Sequence, residues 1–590
     1  MANSVYFNGS VLTIPGAYSA IDTSGMQTKS DGTGAKTLAI IGECTGGEPG
    51  VVQFFTEPVM ARNTLKSGYL LKACEKAWNP VTSTKEGVDI GGANIIAVIR
   101  SNKATKAGLS IVKNMNDERP MISFQSKDWG RNNNHQIKIQ DGSAAGSKQV
   151  VIYDQLNDVY ETYDNLGRLF SIGYTGTQPY AEVNIYKDNN DVVWFQTKVG
   201  ADNRSTAEDI KIKLDPNVYK TIRSFILDLQ SYENYNIVFG RFNNNLSITD
   251  VDFVEAKNIK ATAEQETYNI TAVYADMAYT LNTTSRLVEV VSYDRSKGVL
   301  NNTNGYVYMT GGEEGNSPTS WVKYFDALSN FDVDYIVPLT GDISIHAELA
   351  DHVTNMSGTM GKERRGIVGG NVNETVKDTL QRAHDLNNSR MQVVHGGFYD
   401  VNDNNELELY PPYILAAQHG GRAAFLPDGE SATHDTYRMS APEYQLESTE
   451  LTQLIQGGCL AFEYVLSGNT ATSGFVRLVW DLTTDIYNDD AVHTERATGQ
   501  LADSLNKEIR RELDKLFTGK RMSSSDISTA KNRIISILKT RYDNNYIVGY
   551  KDIYVTKSGG TTYIDYSIAP AEPNNFTLIT GHFYSETLAV

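Results

Sequence analysis

Cysteine and long apolar runs are both scarce in this chain of 590 residues. Its three cysteines, Cys44, Cys74 and Cys459, are odd in number, widely spaced and outside any CxxC motif, which excludes a disulfide framework. The longest apolar runs, such as Ile95–Ile99, fall far short of the roughly 18 residues that a membrane-spanning helix needs. The N-terminus also lacks the basic start and apolar core of a secretory signal. We therefore expect a soluble protein, made in the cytoplasm, that does not bind membranes directly.

Positive charge is also in short supply. The chain has 53 Lys and Arg against 71 Asp and Glu, a net charge of −18, and a summed field of this sign repels phosphate. Nucleic acid is therefore not an expected partner. The hydrophobic share of 40% and the charged share of 21% exclude wholesale disorder, a collagen-like structure and a coiled-coil rod. Because a domain typically holds about 100–200 residues, we expect several domains.

Strand and helix patterns alternate in two separate parts of the chain. Thr37–Gly42 and Ile95–Arg100 are typical of buried strands, and Glu57–Trp78 between them has helical apolar spacing. The second part alternates in the same way, which predicts a sheet with crossover helices. Its strand patterns are Tyr335–Thr340, Gly366–Gly370, Met391–Gly397, Cys459–Ser467 and Phe475–Thr484, and its helical patterns are Ser344–Met356, Asn373–Leu386, Thr494–Phe517 and Ser525–Tyr542.

The intervening region and the two ends differ in texture from this α/β pattern. Short alternating runs such as Gln149–Asp154 and Val192–Val199 predict a β-rich insertion. The first 35 residues are polar and rich in Gly, Ser and Thr, which is typical of an extended arm. The predicted fold class is an α/β (α+β) core domain with inserted β-rich domains and extended N- and C-terminal arms. The predicted segments are 1–35 (N-terminal arm), 36–100 (first part of the core), 101–312 (insertion), 313–548 (second part of the core) and 549–590 (C-terminal small sheet and arm, with β patterns at Lys551–Thr556, Thr562–Ile568 and Asn575–Glu586).

No motif in the chain meets the requirements of a catalytic, phosphate or metal site. Gly32–Thr37 departs from a Walker loop in its glycine positions. His346 and His352 are six residues apart, about 240° around a helix axis, whereas HExxH places its histidines four apart. GESAT (Gly429–Thr433) lacks the final glycine of a nucleophile elbow, and the Asp489–Asp490 pair is typical of a solvated loop. We predict no catalytic residue, no cofactor and no metal.

Several stretches, in the same order along the chain, resemble the tail sheath proteins of contractile-tailed bacteriophages. They are most similar to the long sheath proteins of large phages that infect Gram-positive bacteria. The region 175–310 matches least well. The matching stretches are IPGAYSAIDTSG, LAIIGECTGGEPG, LKSGYLLKACEKAWNP, KDWGRNNNHQIKI, NDVYETYDNLGRLFSIGYTG, GGEEGNSPTSW, DYIVPLTGDISIHAELADHV, RRGIVGG, LYPPYILAAQHGG, FVRLVWDLTT and KLFTGKRMSSSDI.

The resemblance implies a structural, non-enzymatic subunit of the virion. Such subunits stack as six-membered rings around an inner tail tube and contract to drive the tube through the host envelope. The implied partners are other copies of the chain, the inner tube protein, and baseplate and tail terminator proteins. The alternatives are another virion structural protein, such as a capsid or receptor-binding protein, or an α/β enzyme.

The resemblance also implies that the two arms add strands to a small sheet in neighbouring subunits. Intermolecular pairing would protect strand edges that are otherwise a liability. The apolar residues expected in these strands are Val11, Leu12, Ile14, Phe576, Leu578, Ile579 and Phe583.

A basic stripe in the helical pattern Thr494–Phe517 is the expected contact with the inner tube. Leu505, Ile509, Leu513 and Leu516 recur with helical spacing and should face the core. The alternative interpretation is a solvated face whose charges pair locally with Glu508, Glu512 and Asp514. The predicted tube-facing residues are Lys507, Arg510, Arg511 and Lys515.

Overall fold

A computed structural model describes residues 5–7, 10–12, 36–114, 119–262, 267–358, 360–402, 404–466 and 474–583. The chain forms two compact units. The first unit comprises Met1–Ile21 and Ala104–Gly315, and the second comprises Asp22–Lys103 and Asn316–Val590. In the first unit, β1 (Val5–Phe7) and β2 (Ser10–Leu12) pair as an antiparallel hairpin.

The described part of the first stretch of the second unit, residues 36–103, carries four strands and two helices. One helix was predicted over Glu57–Trp78, but two are present, because Lys66 and Gly68 between them have φ of 65° and 107°. A side chain at Gly68 would also place its Cβ 2.9 Å from the Cα of Cys44, so the break is fixed by packing. The elements are β3 (Thr37–Gly42), β4 (Val52–Phe55), α1 (Pro58–Leu65), α2 (Tyr69–Trp78), β5 (Val81–Ser83) and β6 (Ile95–Arg100).

The rest of the first unit is rich in antiparallel strands, and the two alternating runs singled out above form strands. Its sheets have the orders β11-β10-β9-β20, β16-β12-β18, β15-β14-β13-β17 and β19-β8-β7. The elements are β7 (Lys106–Ile111), β8 (Ile122–Trp129), β9 (Gln136–Asp141), β10 (Lys148–Asp154), β11 (Val159–Leu166), β12 (Arg168–Tyr174), β13 (Tyr180–Lys187), β14 (Val193–Gly200), β15 (Thr206–Lys213), α3 (Ile222–Leu229), β16 (Tyr235–Phe239), β17 (Val254–Asn258), β18 (Tyr268–Thr271), α4 (Val273–Thr284), β19 (Val288–Tyr293) and β20 (Val307–Tyr308).

The second stretch of the second unit continues the strand and helix alternation that the sequence predicted. The strand expected over Phe475–Thr484 ends at Leu478, because the next residues turn away to form the buried polar contacts described below. The elements are α5 (Val322–Leu328), β21 (Tyr335–Pro338), α6 (Ile343–Gly358), β22 (Arg365–Gly369), α7 (Val376–Leu386), β23 (Met391–Val394), β24 (Phe398–Val401), β25 (Leu407–Tyr410), α8 (Pro412–Phe425), β26 (Thr436–Tyr437), β27 (Ala441–Pro442), α9 (Ser448–Gln456), β28 (Cys459–Leu460), β29 (Phe462–Leu466), β30 (Gly474–Leu478), α10 (Ala491–Thr494), α11 (Arg496–Phe517), α12 (Ser524–Asp543), β31 (Ile547–Ser558) and β32 (Thr561–Pro570).

A seven-stranded sheet is the centre of the second unit. Its order is β28-β23-β22-β21-β3-β6-β4, and all its neighbouring strands pair in parallel except β4 with β6. Helices α2 and α8 cover one face, and α5, α6, α7 and α9 cover the other. Because both faces are buried, β3 and β6 are nearly continuous apolar runs.

The last two helices and the hairpin β31–β32 form a C-terminal module, Arg496–Pro570. Its buried apolar residues, including Leu505, Ile509 and Ile534, form a cluster separate from the two that flank the central sheet. Leu516, which was expected to face the core, is exposed. No described helix combines the length and apolar character needed to cross a membrane.

Candidate assembly surfaces

The two histidines that were weighed as metal ligands each contact an arginine. Because an arginine only donates, Nδ1 of His346 accepts from Arg382 (3.1 Å) and its Nε2 donates to the Thr340 carbonyl (2.8 Å). Nε2 of His352 accepts from Arg364 (3.2 Å). Burial and the neighbouring guanidinium lower the pKa of His346 to about 3 and that of His352 to about 4. Across the described ranges, no group of three or more His, Cys, Asp or Glu side chains could hold a metal ion.

The other motifs considered above have structural contacts. Most of Gly32–Thr37 lies outside the described residues, but Lys36 donates to the Leu426 carbonyl (2.6 Å) and pairs with Asp428 (3.1 Å). Ser431 of the GESAT stretch exchanges a hydrogen bond with the Thr433 hydroxyl (2.8 Å) and accepts the Thr433 backbone N–H (3.2 Å), so its contacts are those of a turn. The Asp490 carboxylate accepts the backbone N–H of His493 and caps α10.

Helix α11 lies at the amino ends of three parallel strands and contacts them through ion pairs. Asp503 accepts from Arg365, the first residue of β22, and from Arg390, just before β23, at 2.9–3.0 Å. Burial raises the pKa of the Asp503 carboxyl, but the two guanidinium groups outweigh it and hold the pKa below its ordinary value. We call these contacts, together with those of Lys507, Arg510 and Arg511 described next, the ion-pair seam.

The structure corrects the expectation that Lys507 lies on a free basic face. Only 6% of Lys507 is exposed, and its Nζ donates to Asp334 (2.8 Å) and Asp332 (3.3 Å), both just before β21. Burial lowers the pKa of Lys507, but the two carboxylates outweigh it and raise the pKa. The acidic partners come from more than 170 residues earlier in the chain, so the periodicity of the helix alone could not reveal them.

The remaining stripe residues lie further along α11 and are partly or fully accessible. Arg510 pairs with Glu363 (3.1 Å between one Nη and Oε2), and Arg511 pairs with Asp332. Both arginine side chains keep almost half of their surface exposed, and Lys515 is exposed. A surface pair such as Arg511–Asp332 contributes only about 0–1 kcal/mol, so Arg511 can exchange partners at little cost. Arg510 is held more firmly, because its partner Glu363 is buried.

The segment that follows β32 is extended and presents apolar side chains to solvent. Asn575 donates to Glu495 (2.6 Å), and the Phe576 ring meets Trp480 edge-on, with 5.5 Å between ring centroids. Beyond this point Leu578, Ile579 and Phe583 are each at least 88% exposed. The strand predicted over Asn575–Glu586 is not formed within the described part of it, which ends at residue 583.

The N-terminal residues expected in strand exchange lie partly in the hairpin. Val11 and Leu12 belong to β2 and pair with Tyr6 and Val5 of β1. Ile14 lies outside the described residues, as do residues 584–590 at the other end of the chain.

Comparison with known proteins assigns the chain to a class. It is 30% identical over 588 residues to the tail sheath protein of Bacillus phage SP01, covering 99% of this chain and 97% of that protein. It is 29% identical to a putative tail sheath protein of Enterococcus phage phiEF24C and 27% identical to the tail sheath protein of Staphylococcus phage Twort, each over 94% of both chains. No family model matches.

A solved structure shares the fold. The sheath tail protein of Desulfitobacterium hafniense superposes with a TM-score of 0.52 at 14% identity, covering 94% of this chain and 97% of that one. The chain is therefore a structural protein of a phage tail and not an enzyme. It belongs to the tail sheath protein family of bacteriophages, in the group found in phages of Gram-positive hosts.

Proposed function

We propose that this chain is the repeating subunit of a contractile sheath. Copies stack as six-membered rings around an inner tail tube, and the array contracts to drive the tube through the host envelope. The observation that carries this proposal is the end-to-end likeness to a phage tail sheath protein, which leaves no large part of either chain unmatched. The partners are neighbouring copies, the inner tube protein, and the baseplate and tail terminator proteins.

In this proposal the terminal segments join neighbouring copies by adding strands to the β31–β32 hairpin. Within the described chain this sheet has two strands only, so both of its outer edges are open. Open edges on strands of 12 and 10 residues are a liability unless another chain pairs with them. The exposed apolar residues Leu578, Ile579 and Phe583 lie on a segment that can supply such a strand.

Electron microscopy of the purified full-length protein tests the proposal directly. We expect hollow, striated cylinders, because backbone strand addition links each copy to its neighbours. The proposed six-membered rings predict that end views of these cylinders have sixfold symmetry. A solution that stays monodisperse at every protein concentration and ionic strength, or polymers with another symmetry, would count against it.

We further propose that the accessible end of the basic stripe, Arg510, Arg511 and Lys515, contacts the inner tube. Replacing Arg511 with glutamine and Lys515 with glutamate should impair assembly of extended sheath on tubes and leave tube-free polymer unchanged. Glutamine is used at position 511 because a carboxylate there would lie beside Asp332. The effect should be largest at low salt, because rim charges guide registration and are screened by ions. Co-sedimentation with purified tubes is the measurement.

A matched control for this double variant is Lys531→Glu, on the exposed surface of α12. It should bind tubes like the wild type. Lys507 is left unchanged in this test, because its reversal would place a third carboxylate beside Asp332 and Asp334 and damage the fold. Equal tube binding by the double variant and the control would return Arg511 and Lys515 to the status of ordinary surface residues.

A further inference from the structure

A lysine, an asparagine and an aspartate meet in the first unit and have no role in the function proposed so far. Lys148 is the first residue of β10, and Asp141 lies directly opposite it at the end of β9. Asn302 comes from the segment that precedes β20, 154 residues after Lys148. The Lys148 Nζ donates to Asp141 Oδ1 and to Asn302 Oδ1, at 2.8 Å each. We call these three residues the Lys148 cluster.

The lysine of this cluster lies on the buried face of its sheet. Along β10, Lys148 alternates with the inward-facing residues Val150 and Ile152, which belong to an apolar core of the first unit. Only 8% of Lys148 is exposed. A lysine amine becomes a nucleophile toward carbonyl carbons when an adjacent base takes its proton, so the groups next to Lys148 decide what it can do.

The asparagine is held in place by the residues on either side of it. Asn301 Nδ2 donates to the Lys113 carbonyl (3.0 Å). The Thr303 backbone N–H donates to the Ile139 carbonyl (2.9 Å), and the Thr303 hydroxyl accepts the Ile139 N–H (2.9 Å). These bonds fix Asn302 beside β9. Groups that a fold holds in contact react far faster than free ones, because the entropy of bringing them together is already lost.

The contact between Lys148 and Asn302 brings the amine close to the carbon of the amide. A lysine only donates hydrogen bonds, so it is the amide oxygen of Asn302 that faces Nζ. Since a carbonyl bond is about 1.2 Å long, Nζ lies roughly 3–4 Å from Cγ, close to the separation of a near-attack contact. The last torsion of an asparagine side chain is broad, so a small rotation places Nζ above the plane of the amide.

The aspartate faces both of these groups. Lys148 and, next to it, Asn302 hold the pKa of the Asp141 carboxyl below its ordinary value by hydrogen bonding. An ionised carboxylate between an amine and an amide can take a proton from the first and pass it to the second. The Asp141 side chain is 76% exposed, so a small product can leave to solvent on this side.

We infer that the Lys148 cluster is a modification site, at which the chain forms an amide bond between the side chains of Lys148 and Asn302. Asp141 takes a proton from the Lys148 ammonium, and the free amine attacks Cγ of Asn302. A bond forms between Nζ and Cγ, and the bond between Cγ and Nδ2 breaks. Asp141 returns its proton to the leaving nitrogen, which departs as ammonia, and the new amide nitrogen gives its extra proton to solvent.

This reaction needs no oxidant, reductant or other reactant, and it happens once per chain, with Asp141 as its catalytic residue. The product ties β10 to the segment that enters β20, and β9 lies between these two strands in the sheet. All three residues belong to one chain. The inference therefore goes beyond the proposed function and can fail or succeed independently of assembly.

Mass spectrometry of the intact full-length protein tests for this bond. Because one ammonia is lost, the chain should weigh about 17 Da less than its sequence requires. A digest should contain a branched peptide that joins Lys148 to Asn302, and trypsin should not cleave after Lys148. The variants Lys148→Arg, Asn302→Ala and Asp141→Asn should each have their full sequence mass, because they remove the nucleophile, the amide carbon and the proton carrier, respectively.

Lys106→Arg is the matched control. Lys106 is a lysine of the same unit that pairs with a carboxylate, Glu289 (3.2 Å), and lies over the Trp129 ring, so this variant should keep the mass loss of the wild type. A denaturing gel gives a second measurement. The wild type and Lys106→Arg should migrate faster than Lys148→Arg, because a covalently closed loop makes an unfolded chain more compact.

Two results would overturn the inference. The first is a wild-type chain that keeps its full sequence mass after days at neutral pH. The second is a mass loss that persists in Lys148→Arg, since the ammonia would then come from another asparagine, such as Asn304 before Gly305, by cyclisation onto the backbone. If a variant fails to fold, the presence or absence of the branched peptide in the wild type decides alone.

Discussion

Replacing Asp481 with asparagine should lower the melting temperature of the second unit by roughly 5–10 °C. Asp481 is 1% exposed and accepts from Arg496 (2.8 Å), Gln392 (2.9 Å) and the backbone N–H of Ala432 (3.1 Å). Burial alone would raise the pKa of its carboxyl, but Arg496 and His419 outweigh it and hold the pKa well below the usual range. The substitution leaves the buried Arg496 charge without its counterion, which costs about 3–5 kcal/mol.

The location of this ion pair explains the size of the expected effect. Arg496 is the first residue of α11 and also donates to the Tyr335 hydroxyl of β21 (3.1 Å) and to the Glu430 carbonyl (2.7 Å). Losing Asp481 therefore loosens the start of α11, the central sheet and the segment after α8 together. Thermal unfolding followed by circular dichroism is the measurement.

A surface substitution of the same type is the control. Asp543→Asn removes the ion-pair partner of Lys539. Because the side chains of Lys539 and Asp543 are both more than half exposed, this substitution should leave the melting temperature unchanged. Equal melting temperatures for Asp481→Asn and Asp543→Asn would contradict this account of the buried network.

The Asp481–Arg496 pair also predicts that the stability of the protein depends on pH. Because the pKa of Asp481 is depressed in the folded state, its contribution is present above the ordinary aspartate pKa near 4 and is lost as pH falls below it. The difference in melting temperature between the wild type and Asp481→Asn should therefore narrow between pH 7 and pH 3.

Removing residues 576–590 should abolish polymers without unfolding the chain. Leu578, Ile579 and Phe583 make almost no contact within their own copy, so the deletion costs the isolated subunit little. In a polymer, burying three such side chains stabilises each junction by roughly 4 kcal/mol or more. Losing this burial should raise the protein concentration needed for assembly about a thousandfold. Sedimentation velocity and electron microscopy check assembly, and thermal melting checks the fold.

A point-substituted version separates lost burial from lost backbone pairing. Changing Leu578, Ile579 and Phe583 to serine keeps the backbone of the segment, removes its apolar side chains and should still weaken assembly strongly. The control changes three largely exposed apolar residues of the first unit, Leu156, Val218 and Val299, which are 66–72% exposed, to serine and should assemble normally. Normal polymers from the truncated chain would refute strand addition through this segment.

How well the fold could be predicted depended on whether burial left a periodic signal. Strands β3 and β6 match their predicted bounds because a parallel strand buried on both faces is a short, continuous apolar run. Helix α8 was not predicted, since it is buried on nearly all sides and has no polar face to reveal its period. The break at Gly68 was missed because it depends on the backbone of Cys44, a contact that no local pattern encodes.

The candidate surfaces were predictable to a lesser degree. The apolar residues near the C-terminus could be found from composition and resemblance, but their role depends on a neighbouring copy. The basic stripe was visible as a helical row, yet Lys507 lies inside the ion-pair seam because Asp332 and Asp334 fold back onto it. An open pocket lined by Glu374, His395 and Glu450 gave no sequence signal, since its residues come from three segments that only the sheet brings together.

The separate core of the C-terminal module has a mechanical consequence. Because the module buries its own apolar residues, separating it from the sheet along the ion-pair seam would expose mainly charged side chains, and not apolar ones, to water. Breaking these buried ion pairs is costly as long as water cannot reach the charges, and carboxylates and guanidinium groups regain hydration only after complete separation. We therefore expect the C-terminal module to keep its own fold if the ion-pair seam opens completely, because its apolar residues stay buried.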